Sequence, residues 1–223
     1  MSEMRKLRLC FSKQHSAAYI SHLDTMRMFQ RAFLRANISV KHTEGYNPHA
    51  YVAIALPLPV AHESVCEILD FSAQDDDLET MPDRLNAVMP YGIRVHEVYE
   101  AKRKVGEIYY VDNVITFEYD LGIPEGTVNA LESLFNSSEI LIEKKSKKGD
   151  IKKLNIKPLI DRINFFPEGE GKLTVCALLQ AQSPYLNPVY ITAAVEKYLP
   201  AFAPNFSSYR RMAIVDKDFV EWR

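Results

Sequence analysis

No two cysteines lie close enough in this sequence to share a metal or a redox disulfide. Cys10, Cys66 and Cys176 are far apart and form no C-x-x-C pair, so neither a zinc site nor a dithiol motif is signalled. Each falls in an apolar, strand-like run and reads as a small buried hydrophobe. Glycine is also sparse. The 8 glycines are scattered over 223 residues, which leaves no glycine-rich loop to cradle a phosphate. A G-x-S-x-G nucleophile elbow is absent as well. No stretch approaches the roughly 18 uninterrupted apolar residues of a membrane span. The opening residues MSEMRKLRLC lack the apolar region of a secretory signal, so the expectation is a cytoplasmic protein without membrane attachment. Strong charge of one sign is missing too. Net charge is -2, so any nucleic-acid surface must be a local patch. What is abundant is apolar residue, 47% of the chain, enough for a real core.

The stretch from Tyr19 to Pro59 concentrates the chemistry. Ser21 reads as a helix N-cap with Asp24 at the third helical position, where a carboxylate can reach back to the cap amide. Leu23, Met26, Phe29, Phe33 and Leu34 recur at helical spacing and predict the apolar face. Arg27, Arg31 and Arg35, four residues apart, share another face. Such a stripe suits phosphate, because each guanidinium is a planar fork of donors; a solvated helix face has the same pattern. Asn37 predicts the left-handed end of the helix. Glu44-Gly45-Tyr46-Asn47-Pro48-His49 then reads as a shaped loop. Gly45 permits positive φ, and Pro48 holds Asn47 extended. Tyr46, Asn47 and His49 could stack on and hydrogen-bond a base, or form a hydrogen-bonded turn with no ligand. The length of the return from Ile38 to His49 predicts that Tyr46, Asn47 and His49 line one concave surface with His22 and Arg27.

Residues 5–11 alternate as a strand, followed by the helix 21–36, strands at 51–56 and 65–71, a helix at 78–88 and a strand at 92–99. This β-α-β-β-α-β order is the ferredoxin-like plan. The basic connection 101–107 marks a boundary. Beyond it the plan recurs: strand 109–119, helix 127–135, strand 139–145, strand 173–180, helix 188–198 and strand 210–215, with additional strands at 151–156 and 163–166. The predicted fold is α+β, two ferredoxin-like (βαββαβ) halves packed together, residues 1–101 and 107–223. The duplication rests on pattern, since no identity between the halves is visible. Residues 144–157 carry seven lysines against one acid. Lys147, Lys148, Lys152 and Lys153 on a hairpin could grip a phosphate backbone, or discourage edge pairing.

Ile20-Ser-His-Leu-Asp-Thr-Met-Arg27, Glu44-Gly-Tyr-Asn-Pro-His49 and Ala55-Leu-Pro-Leu58 resemble the bacterial "radical SAM-linked protein" family, a domain of unknown function. The match is specific over about residues 5–70. Tyr19, Glu44, Tyr46 and Ala50 depart from that family's usual residues, and Ala61-His62 replaces a glycine-containing turn. The resemblance implies a radical SAM protein as partner and implies no established activity. The chain lacks the closely spaced cysteine triplet that would hold a radical SAM cluster, so it resembles the companion and not the enzyme.

A metal is not expected. His22 and Asp24 diverge on their helix, and His42 or His49 could join them only through folding. No cofactor is expected either. The candidate site is therefore His22, Asp24, Arg27, Arg31, Tyr46, Asn47 and His49. The leading expectation is a non-catalytic RNA-binding or substrate-presenting accessory module for a radical SAM partner. The alternatives are a metal-independent ribonuclease using His22 or His49 with Tyr46 as acid and base, and a protein–protein adaptor.

Overall fold

A computed structural model describes every residue except 1–3, 75–76, 146–150 and 183. The chain is α+β and divides into two compact units: residues 1–107 together with Trp222 and Arg223, and residues 108–221.

The first unit contains β1 (Arg5–Lys13), α1 (His22–Arg35), β2 (Val52–Ile54), β3 (His62–Ala73), α2 (Met81–Asn86) and β4 (Ile93–Glu100). Its strands lie in the order β4-β1-β3-β2, every neighbouring pair antiparallel. This is the ferredoxin-like arrangement, in which β3 separates β1 from β2. Leu7, Leu9 and Phe11 of β1 point to the helices and pack with Phe29 and Phe33 of α1, Leu69 and Phe71 of β3, and Met81 and Leu85 of α2.

The N-terminus of α1 forms as its sequence implies. Ser21 is extended, and its hydroxyl accepts the Asp24 N–H at 3.1 Å. The same hydroxyl donates to the Asp24 carboxylate at 2.7 Å, so Asp24 reaches the cap's side chain and not its amide. Asn37 ends the helix at φ 53. The apolar face differs from expectation. Thr25, Phe29, Ala32 and Phe33 are buried, whereas Leu23 is 60% and Leu34 81% exposed. At about 100° per residue, Leu23 and Leu34 fall on the side opposite Thr25 and Phe29, so one stripe cannot contain both sets. The second strand is shorter than its sequence run, Val52–Ile54, and α2 is confined to Met81–Asn86, with Pro82 in its first turn.

The second unit contains β5 (Tyr110–Glu118), α3 (Thr127–Phe135), β6 (Leu141–Lys145), β7 (Ile151–Asn155), β8 (Ile160–Glu168), β9 (Lys172–Gln180), α4 (Val189–Tyr198) and β10 (Phe206–Val215). Its main sheet has the order β10-β5-β9-β8, again antiparallel throughout. The plan is the same, with one insertion. Among the described residues, β6 and β7 pair only with each other, in a separate two-stranded sheet. The run 139–145, expected to be the unit's second strand, is therefore an arm of this hairpin, and β8 takes its place. The reason is local: β8 joins β9 through a tight turn with Gly169 at φ 68. Such a closure favours β8 over a strand nearly thirty residues from β9.

All three cysteines lie within strands, in β1, β3 and β9. They are free thiols and partly exposed rather than fully buried. Among the described residues, no helix is long and apolar enough to cross a membrane.

Candidate functional site

Arg27, Arg31 and Arg35 project from α1 about 6 Å apart along its axis. With Asp24, Met28 and the segment Val88-Met89-Pro90 they line a groove of about 660 Å³. The groove's far wall is tied to the helix. Arg35 donates to the Val88 carbonyl at 3.1 Å, and Arg84 donates to the carbonyls of Ala36 at 3.2 Å and Asn37 at 2.9 Å. These bonds also satisfy carbonyls that a helix end leaves open. Arg27 pairs with Asp24 at 3.1 Å, but both side chains are more than half exposed, so the pair holds its guanidinium only weakly. Arg31, between the other two, makes no hydrogen bond or ion pair with a described residue. The groove thus offers an arginine with no hydrogen bond, a loosely held one, the Asp24 carboxylate that both influence, and apolar side chains from Met28 and residues 88–90.

The Ser21 hydroxyl, and after it Arg27, hold the Asp24 carboxyl below the usual carboxylate range. A group lowered in the folded state contributes stability above its unfolded value and loses it as pH falls through the folded one. Asp24→Asn is expected to lower the melting temperature modestly at neutral pH and to flatten its fall on the acid side, so that the two proteins converge at low pH. An unchanged acid limb would show that the charge does not serve the cap.

The other expected site residues are placed elsewhere within this unit. His22, at the first turn of α1, lines a small cavity with Phe11, Lys13, Thr25, Ile54, Leu58 and Glu67. Tyr46, Asn47 and His49 lie on the exposed loop between Thr43 and Ala50, and Tyr46 is fully exposed. That loop is internally bonded. Thr43 N–H donates to the His49 carbonyl at 2.8 Å, and the His49 N–H donates to Thr43 Oγ1 at 3.2 Å. The His49 ring Nδ1 lies 3.2 Å from the same hydroxyl and 3.1 Å from the Asn47 carbonyl. Gly45 sits at φ 128 with open space around its missing side chain, so glycine is needed there for the backbone and not for room. Gln30 of α1 anchors the end of the loop through the Ala50 carbonyl at 3.1 Å. Asp24, Arg27 and Arg31 therefore share a groove, His22 faces a different cavity, and Tyr46, Asn47 and His49 line neither.

Lys152 and Lys153 are exposed on β7 in the second unit. Lys147 and Lys148 lie outside the described residues. Among the described residues no three His, Cys, Asp or Glu side chains cluster to hold a metal ion.

A family described as an uncharacterized protein conserved in bacteria (DUF2344) matches residues 6–188. The chain belongs to this family. No functionally curated protein matches it. Among solved structures, a chain of a Cbf5-Nop10-Gar1 complex is similar at TM-score 0.49 and 9% identity, with 93% of this chain and 48% of that chain covered. This chain thus spans about half of that one's length. An unknown protein from Galdieria sulphuraria is similar at TM-score 0.28 and 10% identity, with 94% and 99% covered. Likenesses this distant carry no argument about what this family member does.

Sequence reasoning passed over two features of the DUF2344 chain. One is the pair Lys13 and Glu67, 3% and 1% exposed, beside His22. Lys13 donates to the Ala18 carbonyl at 3.0 Å. Burial holds its amine below the ordinary lysine value, and Glu67 pulls it part of the way back. Strand parity was the available signal, because Lys13 continues the inward series Leu7, Leu9, Phe11. The other is the segment 88–90, which completes the arginine groove and has no motif to announce it.

Proposed function

We propose that this protein is a non-catalytic RNA-binding module that presents its RNA to a radical SAM partner. The observation that carries the RNA half is the arginine groove. Three guanidiniums at one-turn intervals along a helix suit successive phosphates of a strand, and Arg31 makes no hydrogen bond or ion pair with a described residue. Met28, Val88, Met89 and Pro90 supply apolar contact beside the charges. Lys152 and Lys153 of the β6–β7 hairpin are a second basic element, in the other unit. The radical SAM partner is supported by the Ser21-His22-Leu23-Asp24 and Gly45-Tyr46-Asn47-Pro48-His49 motifs and their likeness to radical SAM-linked proteins.

The test is filter binding of unstructured RNA over a salt series. Replacing Arg27 and Arg31 with Ala together is expected to weaken binding to unrelated sequences alike. The slope of log affinity against log salt should fall by roughly 0.7 for each phosphate that is no longer neutralised. Unchanged affinity and slope would remove the groove from the model of function. Cleavage of the RNA in the presence of chelator would show an enzyme instead. Retention of a partner protein with no RNA would show an adaptor.

A further inference from the structure

The arginine groove does not end at Pro90. Met89 and Pro90 also line a second cleft of about 400 Å³ with Gln14, His15, Tyr91, Arg94 and His96. The two concavities share a wall, so an extended ligand lying along α1 has a continuation round Pro90.

Two rings stand at this second cleft. Tyr91 is 76% exposed and stacks on His15, centroids 5.3 Å apart and planes 17° from parallel. The platform is rigidly mounted. Gln14 N–H donates to the Gly92 carbonyl at 2.8 Å, and a side chain at Gly92 would come within 2.3 Å of the Gln14 carbonyl oxygen. His15 is held at φ 54, a left-handed conformation uncommon outside glycine, with its N–H donating to the Glu63 carboxylate at 2.8 Å. Arg94 and His96 point outward on β4 beside the rings, alternating with buried Ile93 and Val95. Burial and the adjacent Arg94 push the His96 imidazole down, which leaves a neutral ring able both to donate and to accept. Asn86 is not available, because its amide bonds Val95 on both sides, at 2.8 Å each.

We propose that the cleft formed by His15, Tyr91, Arg94 and His96 is a base-stacking subsite for single-stranded RNA, entered from the arginine groove. This rests on the RNA-binding reading above and narrows it. A flat, exposed ring beside a track of guanidiniums suits unpaired bases, whose faces are free. A duplex keeps its bases stacked on one another and presents only its backbone. Arg94 supplies a further phosphate or base-edge contact, and His96 a hydrogen-bonding edge.

The experiment compares oligouridylate with a fully paired RNA duplex of equal phosphate number, using the full chain. Tyr91→Ala is expected to weaken binding of the single strand about tenfold and to leave duplex binding as it was. Tyr91→Phe, which keeps the ring, should bind like the unchanged protein. Melting temperatures of both variants should match it, given how exposed Tyr91 is. No loss on Tyr91→Ala, or an equal loss on both RNAs, overturns the stacking subsite. If the Arg27 and Arg31 variant still weakens binding while Tyr91→Ala does not, the groove stands and only the subsite falls. If the unchanged protein binds neither RNA, both readings fall.

Discussion

Asp70→Ala is expected to destabilise the first unit by about 3–5 kcal/mol, the cost of leaving a buried charge without its partner. Arg8 and Asp70 face each other across β1 and β3. The guanidinium donates from Nε at 2.6 Å and Nη2 at 2.9 Å to the two carboxylate oxygens. Arg8 is 1% exposed, whereas the Asp70 side chain is 30% exposed. The asymmetry decides which substitution is worse. Without Arg8, Asp70 can still be hydrated. Without Asp70, Arg8 keeps, among the described residues, the Arg103 carbonyl at 3.1 Å and the face of Trp222 at 4.1 Å, and its charge is almost closed to water. At about 2–4 °C per kcal/mol for a chain of this size, the melting temperature should fall by roughly 10 °C. Trp222 is the chain's single tryptophan, so its fluorescence follows this site directly. Replacing the pair together, Arg8→Met with Asp70→Leu, is expected to recover most of the loss. A fall below about 1 kcal/mol for Asp70→Ala, the range of an exposed pair, would show that Arg8 is hydrated in solution.

Glu67→Gln is expected to destabilise the protein near neutral pH, because it removes the charge that offsets the burial of Lys13, and the penalty should depend on pH. Burial lowers the Lys13 amine from the ordinary lysine value, and Glu67 opposes that. The folded protein therefore releases this proton at lower pH than the unfolded chain. Stability from this group rises with pH between the lowered value and the ordinary one, and is lost as pH falls through the lowered value. Removing the Glu67 charge lowers the folded value further and extends that window toward neutrality. The penalty should then shrink as pH climbs to the ordinary lysine range, where Lys13 is neutral folded or unfolded. Urea titrations of both proteins across alkaline pH measure it. A penalty constant with pH would show that Glu67 acts by packing or hydrogen bonding and not through the Lys13 charge.

Both pairs sit where the sequence is hardest to read. Arg8 falls on the opposite side of β1 from Leu7, Leu9 and Phe11, the side that alternation assigns to polar residues. It is buried because Trp222 returns from more than two hundred positions away to lie on it. Lys13 sits beyond the alternating run of residues 5–11, yet it follows the inward parity of that strand. The apolar face of α1 departs from expectation for a related reason. Leu23 and Leu34 are apolar by type, but their angular position is opposite the core, and only the sheet specifies which part of the helix it covers.

Local chemistry by itself determined a good deal. Ser21, Asp24 and Asn37 set the ends of α1, and Gly45 set the backbone of the loop at 43–49, because caps and positive φ are decided within a few residues. Alternation placed β1 and β4 to within a few residues, the apolar run at 173–180 placed β9, and the β-α-β-β-α-β order of the first unit followed from counting its elements. Spacing of four placed Arg27, Arg31 and Arg35 on one helix face. Tertiary structure decided the rest. It made β8 and not 139–145 the second strand of the second unit, since strand choice depends on which hairpin closes more readily. It gave the arginine face a second wall at Val88–Pro90, set His22 in another cavity from Arg27, and brought Tyr91 beside His15. Each of these joins residues distant in sequence, and no local pattern encodes which distant segment will arrive.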